Sequence, residues 1–195
     1  MLKIGITGGM GSGKSTVCKV FEQLGIPVYY ADARAKQLMH QNLDLIAGIK
    51  AQFGENAYLP DGSLNRAYIA EKAFQDSQAT AQLNALVHPA VYKDFESWTQ
   101  SWEGKTPYVL KEAALMFESD SYKQLDFIIL VIAHHDLKIQ RIMQRDGLSE
   151  SQILARMDKQ WSDAKKQEKA DFILYNEEGK SIIEQVLAFH AKFTS

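Results

Sequence analysis

The chain has 195 residues, 46% of them hydrophobic, enough for one α/β core with an insertion or a small subdomain. Its formal net charge is −2, so no whole-chain field draws it to nucleic acid or to a membrane, and its Lys and Arg are expected to act locally. Cys18 is the lone cysteine, which excludes an internal disulfide and a multi-cysteine zinc site and fits a reducing, cytoplasmic compartment.

Met1-Leu2-Lys3 runs straight into a short apolar stretch, without the pattern of a signal peptide. No apolar run approaches the ~20 residues of a spanning helix. Leu2–Thr7 reads as a buried strand, Gly8–Gly13 as a glycine-rich loop, and Lys14–Leu24 as a helix with Val17, Val20, Phe21 and Leu24 on its apolar face. Gly25 and Pro27 end that helix, and Val28–Tyr30 is a second strand, so the opening is a β-loop-α-β unit and implies a parallel sheet.

From about Arg34 to Ser101 the pattern turns helical, with segments near 33–53, 66–75 and 77–101. Gly54, Pro60-Asp61-Gly62 and Asp76-Ser77 supply the turns between them, and Pro89 is expected to kink or divide the last segment. Strand character returns at Tyr108–Leu110 and at Phe127–Ile132, whose unbroken apolar run suits a central strand buried on both faces. Asp136–Arg145 reads as a helix ended by Asp146-Gly147. Ser149 to Gln152 resembles a capping box opening a helix to about Trp161. Phe172–Tyr175 is a last strand, and Ser181–Phe193 a closing helix with Ile183, Val186, Leu187 and His190 on one stripe.

Gly8-Gly9-Met10-Gly11-Ser12-Gly13-Lys14-Ser15, followed by Thr16, fits G-x-x-x-x-G-K-[ST] between a strand and a helix. The glycines let successive N–H groups turn inward around a phosphate, and the helix start adds donors and its positive dipole end. Lys14 is suited to the β- and γ-phosphates and the Ser15 hydroxyl to Mg²⁺. The D-x-x-G and N-K-x-D patterns of a regulatory GTPase are absent from the sequence, which favours a small-molecule kinase.

A hydroxyl acceptor needs a carboxylate, and Asp32 lies just past the strand after the phosphate-loop helix. A helix N-cap is the alternative role for Asp32. Glu112 is either a ligand to a Mg²⁺-bound water or a solvated helix-start carboxylate. Arg141 and Arg145 share a helix face and suit phosphate oxygens and transition-state charge. Five scattered histidines, His88 among them, form no metal-ligand pattern.

Together these motifs resemble the dephospho-coenzyme A kinase family over nearly the whole chain. The resemblance rests on Ile4–Val17 (IGITGGMGSGKSTV), Ala31-Asp32-Ala33, Asp61 to Arg66 (DGSLNR), Leu86-Val87-His88-Pro89, Met143 to Gly147 (MQRDG) and Asn176. It implies an α/β P-loop core with a parallel sheet, formed by residues 1–33, 105–140 and 168–195. A helical acceptor domain at 34–104 and a small lid at 141–167 complete it. It further implies transfer of the ATP γ-phosphate to the 3′-hydroxyl of dephospho-coenzyme A, with Mg²⁺.

By the same resemblance Lys14, Asp32 and Arg141 are catalytic. Gly9, Gly11, Ser12, Gly13, Lys14, Ser15, Thr16, Arg145 and Asn176 bind the nucleotide. Arg66 and His88 join Asp32 in the acceptor pocket, and Ser15 meets the metal. No nucleic acid or membrane partner is expected, and a monomer or weak homo-oligomer is. One departure stands out: where the family has an aspartate and a P-L-L-x-E segment, this chain reads Glu112 to Glu118 (EAALMFE) without the proline. A kinase with another acceptor, and a nucleotide-binding module without transfer, are the alternative functions.

Overall fold

The computed structural model describes residues 1–75 and 78–195, with side chains for all of these but 73–75. The turn expected at Asp76-Ser77 lies outside the described residues. Two units emerge, Met1–Tyr30 with Trp102–Ser195, and Ala31–Ser101.

In the first unit five strands form one sheet: β1 (Leu2–Thr7), β2 (Val28–Tyr30), β3 (Tyr108–Glu112), β4 (Phe127–Ile132) and β5 (Phe172–Tyr175). Their order is β2-β3-β1-β4-β5 and every pairing is parallel. Parallel neighbours need crossovers, and helices supply them. α1 (Lys14–Gln23) joins β1 to β2, and α9 (Ile182–Thr194) follows β5.

Alternation along the strands sets the layers. Ile4 and Ile6, Tyr108 and Leu110, Ile129 and Val131, and Leu174 face one side, where they pack with Val17, Cys18 and Phe21 of α1 and Val186 and Phe193 of α9. Each such side chain, fully buried, contributes about 1.5–3 kcal/mol of transfer free energy. On the opposite side Met116 and Leu125 lie against Gly5, and α8 (Asp163–Gln167) packs on β4. Residues 128–131 of β4 are therefore buried from both faces, as its apolar run predicts. The result is a three-layer α/β fold.

Several boundaries differ from the sequence pattern for identifiable reasons. β3 runs two residues beyond Leu110, because Lys111 and Glu112 pair with both neighbouring strands and are only 1% and 8% exposed. The helix opened by Ser149, α7 (Glu150–Met157), has the expected capping box but stops before Trp161. The Trp161 N–H donates instead to Glu118 Oε1 at 2.8 Å, and the indole stacks on Phe117. Ser162 then caps α8, which the sequence pattern did not suggest. On α9 the buried stripe is Val186 and Phe193 with Ile182 and Phe189, while Ile183 and Leu187 are exposed. α6 (His135–Asp146) ends at Gly147 with φ 65°, as expected of a left-handed stop.

The second unit is helical: α2 (Ala31–Gln41), α3 (Leu43–Phe53), α4 (Arg66–Gln75) and α5 (Ala79–Ser101). The single segment expected near 33–53 is broken at Asn42, whose side chain accepts from Leu45 N–H at 2.9 Å and caps α3. Pro89 does not divide α5. A proline there removes the donor to the carbonyl of Ala85, and Ala85 is exposed, so water can serve that carbonyl. Leu45, Ile49, Phe53, Ala57, Leu64, Ile69, Ala79 and Val87 form the core, and the Arg34 guanidinium forks onto the Asp94 carboxylate. No helix among the described residues is long and apolar enough to cross a membrane.

Candidate functional site

The loop after β1 takes its shape from two glycines. Gly11 (φ 77°) and Gly13 (φ 90°) occupy the left-handed region that residues with a Cβ avoid. Close approach adds a second constraint. A Cβ on Gly13 would collide with Asn176 Nδ2, and one on Gly11 would lie 2.6 Å from the Lys138 carbonyl oxygen. Ser12 N–H donates to Gly9 O at 3.2 Å, folding the loop back on itself. α1 begins at Lys14, so the N–H groups of Lys14 and Ser15, which have no intrahelical carbonyl, open onto the loop, while the Thr16 N–H donates to Gly13 O at 3.0 Å. Lys14 Nζ bends over it and donates to the carbonyls of Gly8 at 2.9 Å and Gly9 at 3.2 Å. Ser15 and Thr16, in the same first turn, are exposed.

Two distant residues meet this loop. Asn176, just after β5, donates through Nδ2 to Ser12 O at 2.8 Å and accepts through Oδ1 from Arg141 Nη2 at 3.3 Å. Arg141 Nη1 also reaches Gly11 O at 3.4 Å. Gly9, Gly11, Ser12, Gly13, Lys14, Arg141 and Asn176 thus form one cluster of main-chain donors and cations. Chemically it suits an extended polyanion. Arg145 lies one turn further along α6, is exposed, and forks onto Asp146 at 2.8 and 2.9 Å. That pair holds the Asp146 carboxyl below its ordinary range and raises Arg145 above its own.

The sequence reading missed Lys138, Gln160 and Asp163. Lys138 pairs with Asp163 at 2.6 Å, and Gln160 Oε1 accepts from the Met10 N–H at 3.0 Å. The signal for Lys138 was available: it precedes Arg141 by one helical turn and shares its face. Nothing in the sequence pairs it with Asp163.

Glu112 ends β3 in register with Ile6, near the carboxyl end of β1, and is buried. The proline-free segment after it turns and delivers Glu118 to the α7–α8 connection. There Glu118 Oε1 accepts from Trp161 N–H and lies 3.3 Å from Nζ of the fully buried Lys166. Glu118 therefore braces the connection that carries Gln160 and leads into Asp163, the first residue of α8. Of the remaining expected residues, Asp32 is the second residue of α2 and is exposed. It lies inside the helix, so it is not the N-cap. Arg66 opens α4 and His88 lies within α5, both exposed. These three belong to the second unit.

Among the described residues no group of three or more His, Cys, Asp or Glu converges as a metal site. The Ser15 hydroxyl and the Glu112 carboxylate are hard oxygen donors, which fit a Mg²⁺ that keeps its waters and takes its other ligands from substrate phosphates.

The chain is similar to known proteins over nearly its whole length. The family model for dephospho-CoA kinase matches residues 2–181. A dephospho-CoA kinase of Salinibacter ruber is 39% identical over 178 residues, 91% of this chain and 89% of the relative. A crystal structure of a Thermus thermophilus protein superposes with a TM-score of 0.84 at 31% identity, covering 100% of this chain and 98% of that one. A dephospho-CoA kinase structure from Campylobacter jejuni gives a TM-score of 0.72 at 26% identity, covering 97% and 96%.

Proposed function

The chain belongs to the dephospho-CoA kinase family, and on that premise we propose that it transfers the γ-phosphate of ATP to the 3′-hydroxyl of the ribose in dephospho-CoA, giving CoA and ADP. The observation that carries the reading is the loop itself. Its left-handed glycines, the Lys14 ammonium folded over Gly8 and Gly9, and the Arg141–Asn176 pair on its flank make a cradle for a triphosphate.

In this mechanism the N–H groups of Gly11, Gly13, Lys14 and Ser15 and the Lys14 ammonium hold the β- and γ-phosphates, while the Ser12 N–H keeps the loop folded through Gly9 O. Lys14 exchanges its loop carbonyls for phosphate oxygens. Arg141 and Arg145 stabilise charge on the transferring group, and Thr16 and Asn176 complete the nucleotide side. Asp32 accepts or orients the proton of the acceptor hydroxyl, and Arg66 and His88 bind the acceptor. Residues 34–104 receive the acceptor and residues 141–167 act as a lid that excludes water. Ser15 would hold Mg²⁺, with Glu112 on one of its waters; when bound, the ion neutralises charge on the β- and γ-oxygens. Positioning and fixed charge supply most of the rate. A cytoplasmic location, where ATP is available, belongs to the same reading.

A coupled assay of ADP release across acceptors tests the reading. Dephospho-CoA is expected to exceed nucleosides, nucleotides and small alcohols in kcat/KM by orders of magnitude. A better acceptor among those would reassign the substrate, and ATP binding without transfer to any acceptor would make the chain a nucleotide-binding module.

A further inference from the structure

Gly9 has no side chain, yet its flank is occupied. Asp163 Oδ1 and Lys138 Nζ lie 3.2 and 3.6 Å from the position its Cβ would take. The two groups form an ion pair at 2.6 Å whose side chains are only 8% and 24% exposed. Three residues before Asp163, Gln160 Oε1 holds the N–H of Met10. On the other side the Lys138 carbonyl oxygen closes against Gly11. Gly9, Met10 and Gly11 are thus gripped in succession by α6, by Asp163 at the start of α8 and by Gln160 ahead of it. On the inner side the same stretch offers the Gly9 carbonyl to Lys14.

An ion pair with a buried ammonium and a partly exposed carboxylate is a poor source of net stability, because desolvation offsets much of the attraction. What it supplies is a fixed geometry. A stretch rich in glycine has much backbone freedom to lose, and a phosphate nest binds tightly only if that freedom is removed beforehand. We infer that Lys138 and Asp163 are a positioning pair for the triphosphate. Their contact, with Gln160 beside it, sets the first half of the phosphate loop in its binding shape and acts through Gly9–Gly11 without touching the nucleotide. The inference rests on Gly8–Ser15 being the ATP phosphate site.

The test uses the full chain and Lys138→Met, Asp163→Ala, the double variant, Gln160→Ala and Lys138→Arg. Direct ATP titration, which needs no turnover, comes first. Failure of the unaltered chain to bind ATP overturns the phosphate-site reading and this inference together. With binding present, each single loss is expected to raise the KM and dissociation constant for ATP about tenfold. KM for the acceptor should stay within about twofold and kcat within about threefold. The double variant should be no worse than the worse single, since a pair acting as one unit is non-additive. Lys138→Arg should restore most of the affinity. Gln160→Ala keeps both charges, and a smaller shift of the same sign is expected of it, which guards against misfolding of the charge variants. ATP affinity unchanged in folded variants overturns the inference alone. So does tighter ATP binding in Asp163→Ala beside weaker binding in Lys138→Met, because that pattern means Lys138 itself meets the phosphates.

Discussion

Asn176 reaches across 164 residues of sequence to donate a 2.8 Å hydrogen bond to the Ser12 carbonyl, so the residue after the last strand fixes the loop after the first. β1 and β5 both border β4, which brings their carboxyl ends to the same edge of the sheet. Replacing Asn176 by Ala leaves the Ser12 carbonyl without this donor and Arg141 Nη2 without its acceptor, with only the Nη1 contact to Gly11 O remaining. A loss of about 1–2 kcal/mol of stability is expected, with KM for ATP raised and KM for the acceptor little changed. Urea unfolding and two-substrate kinetics check this; an equal rise in both KM values would deny Asn176 a role specific to the nucleotide.

Asp32→Asn keeps the size of the side chain and removes its charge. If Asp32 serves the acceptor hydroxyl, turnover falls about a hundredfold or more while ATP affinity, read by direct titration, stays near its original value. Unchanged turnover would remove Asp32 from the chemistry.

Lys166 is fully buried and has the Glu118 carboxylate at 3.3 Å and the Ala114 carbonyl at 3.2 Å. Glu118→Ala strips the charge partner from a buried ammonium and the acceptor from the Trp161 N–H, and should cost about 3 kcal/mol of unfolding free energy. Glu118→Gln keeps an acceptor and should lose less. Denaturant midpoints give both numbers, and equal losses would mean that the charge is unimportant.

Burial lowers Lys111 from its ordinary value to about 8. Between about 8 and the unfolded value near 10.4, the unfolded chain holds the proton that the folded chain has released. The Lys111 contribution to stability therefore rises with pH across that window, and the cost of burying the charge is greatest below it. Lys111→Met should flatten the stability profile between pH 8 and 10. Its midpoint at pH 7 should be no lower than that of the unaltered chain, offset by the lost 2.9 Å hydrogen bond to Gln124. Parallel profiles for the two chains would contradict the assignment.

The phosphate loop was legible because its signal is local: glycines, a lysine and a hydroxyl residue at fixed spacing between a strand and a helix. β4 was legible because burial on both faces leaves an unbroken apolar run. What the sequence hid depends on contacts across the fold. Lys111 and Glu112 look like the end of a strand until the neighbouring strands that bury them are known. Trp161 ends the pattern of α7 through Glu118 and Phe117, both far away in sequence. Pro89 passes through α5 at a point where Ala85, the residue whose carbonyl it deprives of a donor, is exposed. Lys138 and Asp163 are ordinary surface residues on paper, and only the packing of α6 and α8 on the loop makes them a partly buried pair.

The most direct measurement follows the phosphate. ATP labelled at the γ-position is supplied with dephospho-CoA, and the product is examined by phosphorus NMR. The proposed transfer yields one new phosphomonoester, on the ribose 3′-oxygen, carrying the label in step with ADP release, and Lys14→Ala abolishes it. Label recovered only as inorganic phosphate, or on a different oxygen of the acceptor, would contradict it.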